Sequence, residues 1–259
     1  MGRMVHHCET AEEFLRAAKA REARREARAA AMLAPDGLSR GEAEIGVRAI
    51  LAEIDALELA DRLEAAHGRA VAAVAHAAVH CAGGRMQALA QLRLCETLEL
   101  LGRYSFAAEG FVDLEQSLPE EWPDIRMWCS NHLISVGVHV CNRPLQELGI
   151  TRGAAVRSRV SDPDQVASYL QWRGIAESRR YQPDRAEKTF EESFPLRDRT
   201  VRRDVTKGFL LADIAYSNRE DERGDELLAA TVRDAERLGL TRHSRAGRRH
   251  LERFNPSVR

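Results

Sequence analysis

Two groups of histidine and cysteine residues have a spacing that could support metal chemistry. His76 and His80 are four residues apart, and Cys129, His132 and His139 recur at intervals that share one face of a helix. Imidazole nitrogen and thiolate sulfur are ligands that Zn²⁺ and other transition metals accept. The spacing therefore leaves open a metal- or haem-dependent enzyme, or a metal sensor, built on these five side chains.

Ordinary core packing accounts for the same residues, and the sequence favours this interpretation. Cysteine is among the residue types most often buried, where it packs like a small apolar side chain. No glutamate follows the first histidine in the His-Glu-x-x-His arrangement of metal-dependent hydrolases. The sequence also contains no phosphate-binding loop, dinucleotide fingerprint or nucleophile elbow. The residues thus give no positive indication of catalysis or of a bound cofactor.

The composition predicts a helical globular protein that acts away from nucleic acid and membranes. The chain has 259 residues, of which 44% are hydrophobic, 31% charged and only 5% aromatic, and its abundant Ala, Arg, Leu and Glu favour helix. The net charge of −1 gives no general attraction to polyanions, and no apolar stretch approaches the ~20 residues that span a bilayer. Five cysteines without a disulfide-like spacing predict reduced thiols and a cytoplasmic location.

The most informative stretch runs from Leu101 to Pro119 and predicts a turn between two helices. Gly102 can adopt a positive φ and so end an apolar helix that spans 88–101. A second helix, starting near Ser105, would present Ala107, Phe111 and Leu114 on one face until Pro119 stops it.

This hairpin resembles one tetratricopeptide repeat, whose motif is Trp-x2-Leu-Gly-x2-Tyr in the first helix and Ala-x3-Phe in the second, closed by Pro. The residues at the expected spacing are Gly102, Tyr104, Ala107, Phe111 and Pro119. In the first helix, Gln91, Leu94-Cys95 and Leu98 replace the motif residues. The small Cys95 would still let the two helices approach each other closely.

Weaker copies of the hairpin follow, at intervals of roughly 35 to 45 residues, which is typical of a helical solenoid. They cover 165–194 and 200–238, and a last helix at 241–254 would close the stack. The resemblance therefore implies an all-α fold, a right-handed α-solenoid of antiparallel helix hairpins, with repeats and a capping helix in 85–259. Residues 1–84 would form N-terminal helices that stack on this array. The Ala-Glu-Arg-Leu-Gly-Leu segment at 235–240 is also similar to the sensor half of actinobacterial regulators, although the DNA-binding domain of those proteins is not legible here.

Three helix boundaries are also predicted in the N-terminal part. Thr10 followed by Glu13 has the pattern of a capping box that starts a helix at 11–33, after a loose segment at 1–8. Ser39 followed by Glu42 predicts the start of the next helix in the same way. His67-Gly68 predicts a break before an apolar helix at 69–81, which would be buried on most sides.

The resemblance implies a function, since the first helices of tetratricopeptide hairpins line a concave groove that binds peptides or small ligands. Aromatic side chains and both signs of charge in such a groove suit a peptide with apolar and ionic anchors. We therefore expect an adaptor or a ligand-sensing regulator that binds a peptide or protein segment. The ends of a helical solenoid expose apolar surface, through which a homodimer could form. Carried over from the repeat register, the groove residues are Glu96, Glu99, Arg126, Ser130, Tyr169, Arg173, Phe209, Asp213 and Tyr216.

A third interpretation concerns the basic C-terminal segment, whose charges could contact nucleic acid phosphates. A solvated face of the closing helix explains the same composition, and we favour it. The residues in question are Arg242, His243, Arg245, Arg248, Arg249, His250 and Arg253.

Overall fold

The computed structural model describes residues 6, 8–11, 20–32, 39–196, 201–238, 244–245 and 247–248, and these contain helices and turns but no strand. No helix in this described part is both long and apolar enough to cross a bilayer. The α-helices are α1 (Ala20–Met32), α2 (Arg40–Leu59), α3 (Leu63–His80), α4 (Arg85–Leu100), α5 (Tyr104–Ser117), α6 (Pro123–His139), α7 (Arg143–Val156), α8 (Pro163–Ser178), α9 (Pro183–Ser193), α10 (Val201–Ser217) and α11 (Asp221–Arg237). Short 3₁₀ turns follow α7 at Arg157–Arg159 and α9 at Phe194–Leu196.

The chain divides into two compact units, Met1–Pro119 and Glu120–Arg259. In the first unit α1 packs on α2, the hairpins are α2/α3 and α4/α5, and the first helices α2 and α4 contact each other. In the second unit the hairpins are α6/α7, α8/α9 and α10/α11, and the first helices contact in the order α6, α8, α10. Each unit is therefore built from successive helix hairpins, which the sequence predicted for 85–259.

The same backbone turn closes the first helix of every hairpin. In each turn one residue has φ between +55° and +75°, and the N–H of the next residue donates to the carbonyl five positions back at 2.8 to 3.1 Å. This is the Schellman arrangement, which satisfies the last carbonyls of a helix. The left-handed residues are Asp61, Gly102, Cys141, Tyr181 and Arg219. Their spacing of 38 to 41 residues confirms the predicted interval, and the first of them lies in the α2/α3 hairpin, where the sequence motif is not legible.

The predicted contact of small residues in the central hairpin is also observed. A Cβ atom added to Gly110 of α5 would lie 2.5 Å from the sulfur of Cys95 on α4. The two helices therefore cross where the repeat motif requires a small residue. The capping box at Ser39 and Glu42 is confirmed as well, with Glu42 accepting from the Ser39 backbone N–H at 3.1 Å.

Other N-terminal predictions are wrong for local reasons. Cys8 is helical and buried, and the Thr10 hydroxyl donates to the His6 carbonyl at 2.9 Å, so Thr10 lies inside a helical turn rather than capping one. Glu13 lies outside the described residues. The helix break comes at Asp61, where the turn is made, and α3 continues through His67 and Gly68.

The apolar helix α3 is also less buried than its composition predicted. Val71 and Val79 have 49% and 74% of their surface exposed. Alanines supply most of its buried side, namely Ala66, Ala70, Ala73 and Ala77. Small side chains are enough to pack α3 against α2 and α4, so the larger valines can point outward.

Candidate functional site

The first candidate metal pair lies on α3. The rings of His76 and His80 have centroids 4.7 Å apart. Burial, and to a smaller extent the charge of His80, lower the pKa of His76, so this imidazole is neutral at pH 7. Neutral imidazole can ligate a metal, but two ligands do not make a site.

The second candidate group lies on α6 and its members are used in different ways. Cys129 is fully buried in the packing of the second unit. The ring of His132 lies 6.1 Å from that of Trp128, and the ring of His139 lies 6.0 Å from that of Trp172 on α8. Within the described residues, His, Cys, Asp and Glu side chains form no group of three or more that could hold a metal ion. The geometry thus gives the metal hypothesis no support.

Glu96, one of the two groove residues predicted in the first unit, lies in an ionic cluster around Arg93. Glu96 is 7% exposed and pairs with Arg93, which also pairs with Asp55 and, at 3.1 Å, with Glu58 on α2. Burial alone would lower the pKa of Arg93, but the charges of the three carboxylates raise it well above its usual value. These ion pairs link α2 to α4. Glu99, also predicted, is 8% exposed.

In the second unit, two predicted groove residues lie inside the helix packing. Ser130 is fully buried, and its hydroxyl donates to the Arg126 carbonyl at 2.8 Å. Tyr169 is 1% exposed, and its hydroxyl donates to the Ile150 carbonyl on α7 at 2.9 Å. Burial, the largest influence, raises the pKa of Tyr169. Neither side chain is open to a ligand in this conformation, and Arg126 is half-buried beside them.

Arg173 belongs to an ion-pair network that ties α8 to α9. Its Nε donates to Glu177 at 3.0 Å, and Glu177, only 3% exposed, also accepts from the Thr189 hydroxyl at 2.7 Å. Burial alone would lower the pKa of Arg173, but its hydrogen bond and ion pair with Glu177 raise it. Arg173 therefore has a structural partner on its own helix.

On α10, two of the three predicted residues pack toward α11. Phe209 contacts the core formed with Leu228, and the Tyr216 hydroxyl donates to Asp225 at 2.7 Å. The Asp213 side chain keeps 23% of its surface exposed, with Arg179 at 3.6 Å. Burial raises the pKa of Asp213, and Arg179 partly offsets this. Phe209, Asp213 and Tyr216 are all half-buried, and Asp213 is the one that does not pack toward α11.

The structure instead brings together four rings that the sequence patterns did not combine. At 100° per residue, Trp128, His132 and His139 lie on the side of α6 opposite Ser130 and Ile134, which contact α7. His139 meets Trp172 edge-on, which continues the surface onto α8. We call Trp128, His132, His139 and Trp172 the aromatic row. His139 is exposed and the other three are half-buried.

A simple pattern could have grouped the three α6 members of this row, although not the direction in which they face. Ring-bearing residues on α6 recur at 128, 132 and 139, which is one face at helical spacing. The sequence analysis used two other patterns, the His and Cys spacing for a metal site and the repeat register for the groove. Neither of these patterns includes Trp128 or Trp172, so the row was missed.

The basic C-terminal segment is described at only two of its charged residues. Arg245 and Arg248 are exposed, and Arg248 pairs with Glu236 of α11. The remaining residues, Arg242, His243, Arg249, His250 and Arg253, lie outside the described part of the chain. All five cysteines are described and none forms a disulfide; Cys141 is exposed and the other four are buried.

Comparisons with known proteins identify a fold but no family. No protein-family model matches the sequence, and no curated protein matches it. Among solved structures, the crystal structure of the apo form of RapI superposes with a TM-score of 0.73 at 12% sequence identity, over 92% of this chain and 85% of that chain. This chain has a helical-repeat fold. The likeness to RapI, itself a tetratricopeptide-like helical-repeat protein, confirms the predicted fold class, whereas the similarity to actinobacterial sensor domains stays a prediction.

Proposed function

We propose that this protein is a scaffold that binds a peptide or protein segment on its first helices and acts as an adaptor or a ligand-sensing regulator. The observation that carries the proposal is the direct contact of α6 with α8 and of α8 with α10 in the second unit. Three first helices side by side form one continuous face, because their partners α7, α9 and α11 occupy the other side. We call this the first-helix face.

The side chains of the first-helix face suit a peptide. The aromatic row lies on it, and Asp213 lies five residues, or about 140°, from Gly208, which packs against Thr231 of α11. Half-exposed tryptophan rings are typical anchors of a protein interface, and Asp213 adds a carboxylate to this face. Neighbouring helix axes are about 8–10 Å apart, so three helices span roughly 20 Å, the length of about six residues of extended peptide.

Two further observations support the proposal. RapI was crystallised in an apo form, a term for a protein without its ligand, and we extend ligand binding to this chain by analogy of fold alone. None of the five cysteines forms a disulfide, which suits the reducing conditions of a cytoplasm, and we include that location in the proposal.

Peptide selection tests the proposal directly. A displayed library of random peptides is selected on the immobilised full-length protein, and the affinity of each enriched peptide is measured by calorimetry. We expect His132→Ala and Asp213→Asn to weaken binding about tenfold or more, as loss of an interface anchor does. Glu187→Ala, an exposed site on α9, is the matched control and should leave the affinity unchanged.

Tyr169→Phe tests whether Tyr169 contributes to peptide binding or only to the stability of the core. It should lower the free energy of unfolding by about 1 kcal/mol through loss of the bond to Ile150, without changing the affinity of a selected peptide. Failure to enrich any peptide, or equal weakening by Glu187→Ala and His132→Ala, would exclude the first-helix face as the binding site.

A further inference from the structure

We infer that the aromatic row, together with two buried amides on the same two helices, is a site for an arginine side chain of the bound segment. The inference rests on the proposed function and specifies the chemistry of its ligand. It combines two independent features of α6 and α8: the ring faces of the row, and two buried oxygen acceptors on the same helices.

The rings form two pairs along α6. One is Trp128 with His132, and the other is His139 with Trp172. His132 and His139 are seven residues apart, which is about 10 Å along the helix axis and matches roughly three residues of extended chain. A segment lying along α6 could therefore place one side chain at each pair.

The buried amides lie between these helices. Asn131 is 1% exposed and Gln165 is 8% exposed. The Asn131 Nδ2 donates to the Gln165 backbone carbonyl at 3.4 Å, which fixes the orientation of the Asn131 amide. Its Oδ1 and the Oε1 of Gln165 are buried without a hydrogen-bond partner among the residues that the structure describes. Unpaired buried acceptors are costly to folding, so two on adjacent helices indicate a site that receives donors.

Gln165 and Trp172 are two turns apart on α8, so the amide and the indole share one face of that helix. On α6, Asn131 precedes His132 directly and lies toward α8. The acceptors and the rings thus occupy the same pair of helices, within the second unit.

Only one common side chain satisfies both features. A guanidinium group is planar and cationic, stacks on indole faces, and presents five N–H donors in a fixed fork but no acceptor. An acidic side chain would meet ring faces and oxygens that repel it. A lysine ammonium can approach a ring, but its compact charge does not match a stacked, forked geometry.

The test uses ¹⁵N-labelled full-length protein and four blocked tripeptides, acetyl-Gly-X-Gly-amide with X = Arg, Lys, Phe or Glu. Indole N–H resonances of the three tryptophans are followed by NMR. We expect the Arg peptide to shift Trp128 and Trp172 but not Trp122, which precedes α6, and to bind about fivefold more tightly than the Lys peptide. Equal response to Arg and Glu, a preference for Phe, or shifts confined to Trp122 would overturn the inference.

Two variants show whether the amide serves the ligand or the fold. Gln165→Leu should leave the protein as stable as the parent while weakening the Arg peptide about tenfold, since it removes an unpaired acceptor and keeps the bond from Asn131 to the Gln165 backbone carbonyl. Gln146→Leu is the matched control, because that buried amide is fully used: it donates to the Gly137 carbonyl at 2.9 Å and accepts from Arg180. It should destabilise the protein without changing Arg selectivity. If Gln165→Leu destabilises as much as Gln146→Leu and leaves the preference for Arg intact, the amide is structural and the inference fails.

The outcome also separates this inference from the proposed function. Selected peptides that lose affinity on His132→Ala, yet bind equally well after their arginines are replaced by glutamine, would sustain the first-helix face and reject the arginine site. Absence of binding by any peptide would reject both.

Discussion

The carbonyl oxygen of Ser130 lies 2.7 Å from the point that a Cβ atom on Gly149 would occupy. Here α7 crosses α6 against its backbone, so the obstacle cannot rotate away. We expect Gly149→Ala to lower the free energy of unfolding by about 1–3 kcal/mol, the usual result of forcing an extra methyl group into a packed contact. Urea denaturation followed by circular dichroism measures it.

The matched control for that substitution is Gly68→Ala. Gly68 lies within α3, is exposed, and would place its Cβ in open space. The change should raise the free energy of unfolding by about 0.5–1 kcal/mol through helix propensity. If both variants were equally stabilising, the α6–α7 crossing would be looser than described.

Glu53 joins three helices of the first unit, which predicts a pH-dependent contribution to stability. It is 2% exposed, and Arg28 and Arg69 lie 2.7 and 2.8 Å from its oxygens, with Arg24 at 3.4 Å. Burial alone would raise the pKa of Glu53, but the hydrogen bond of Arg28 and the charges of Arg69 and Arg28 outweigh it and lower the pKa below 4.5. Glu53→Gln should cost about 2 kcal/mol at pH 7.

The sign of the pH dependence follows from the lowered pKa. The stabilisation is complete above the unfolded-state pKa of about 4.5 and is lost as the pH falls through the lower folded-state value. The difference in unfolding free energy between the parent and Glu53→Gln, measured from pH 7 to pH 3, should therefore shrink below about pH 4.5. Glu187→Gln, on an exposed face of α9, should show no such trend. A difference that stays constant down to pH 3 would contradict the ion-pair assignment.

The fold could be predicted because its signals are local. Gly102 ends α4 with φ +75°, and Asn142 and Asp162 accept backbone hydrogen bonds at the starts of α7 and α8. Each of these depends on a few consecutive residues and on backbone chemistry that is the same in any protein.

The site could not be predicted in the same way, because it depends on helix rotation. Successive residues in a helix are rotated by 100° about its axis. Arg126 and Trp128 are two positions apart, so their side chains differ by 200° and lie on nearly opposite faces of α6. In α6 and α8 the repeat-motif residues that would fix the rotation of each helix about its axis are absent. The repeat register inferred from the neighbouring hairpin therefore selected Ser130 and Tyr169, which face α7 rather than the groove. Contacts between distant helices decide the rotation, and no short pattern encodes them.

Tyr181 presents a bulky side chain in a conformation that favours glycine. Its φ is +56° and 78% of its surface is exposed, so the ring contributes little packing to the α8–α9 turn. Tyr181→Gly should raise the free energy of unfolding by about 0.5–1 kcal/mol, as relief of backbone strain exceeds the added entropy of the unfolded chain. Thermal and urea unfolding both measure the gain.

The reciprocal change provides the comparison. Gly102 has the same role in the α4–α5 turn, and Gly102→Ala should lower the free energy of unfolding by about 1 kcal/mol. A loss of stability on Tyr181→Gly would mean that the tyrosine ring makes a stabilising contact that outweighs the strain.

Main-chain amides and carbonyls close all five hairpin turns of the described residues. The regular spacing of the hairpins therefore depends on backbone dihedral angles rather than on which residue occupies each turn. Aspartate, glycine, cysteine, tyrosine and arginine occupy the equivalent position, so substitutions can accumulate there without erasing the geometry. A chain of this kind can diverge until residue-by-residue comparison finds no family, while its backbone still superposes on a protein with 12% identity. For such proteins, the fold is recognised from backbone conformation rather than from sequence.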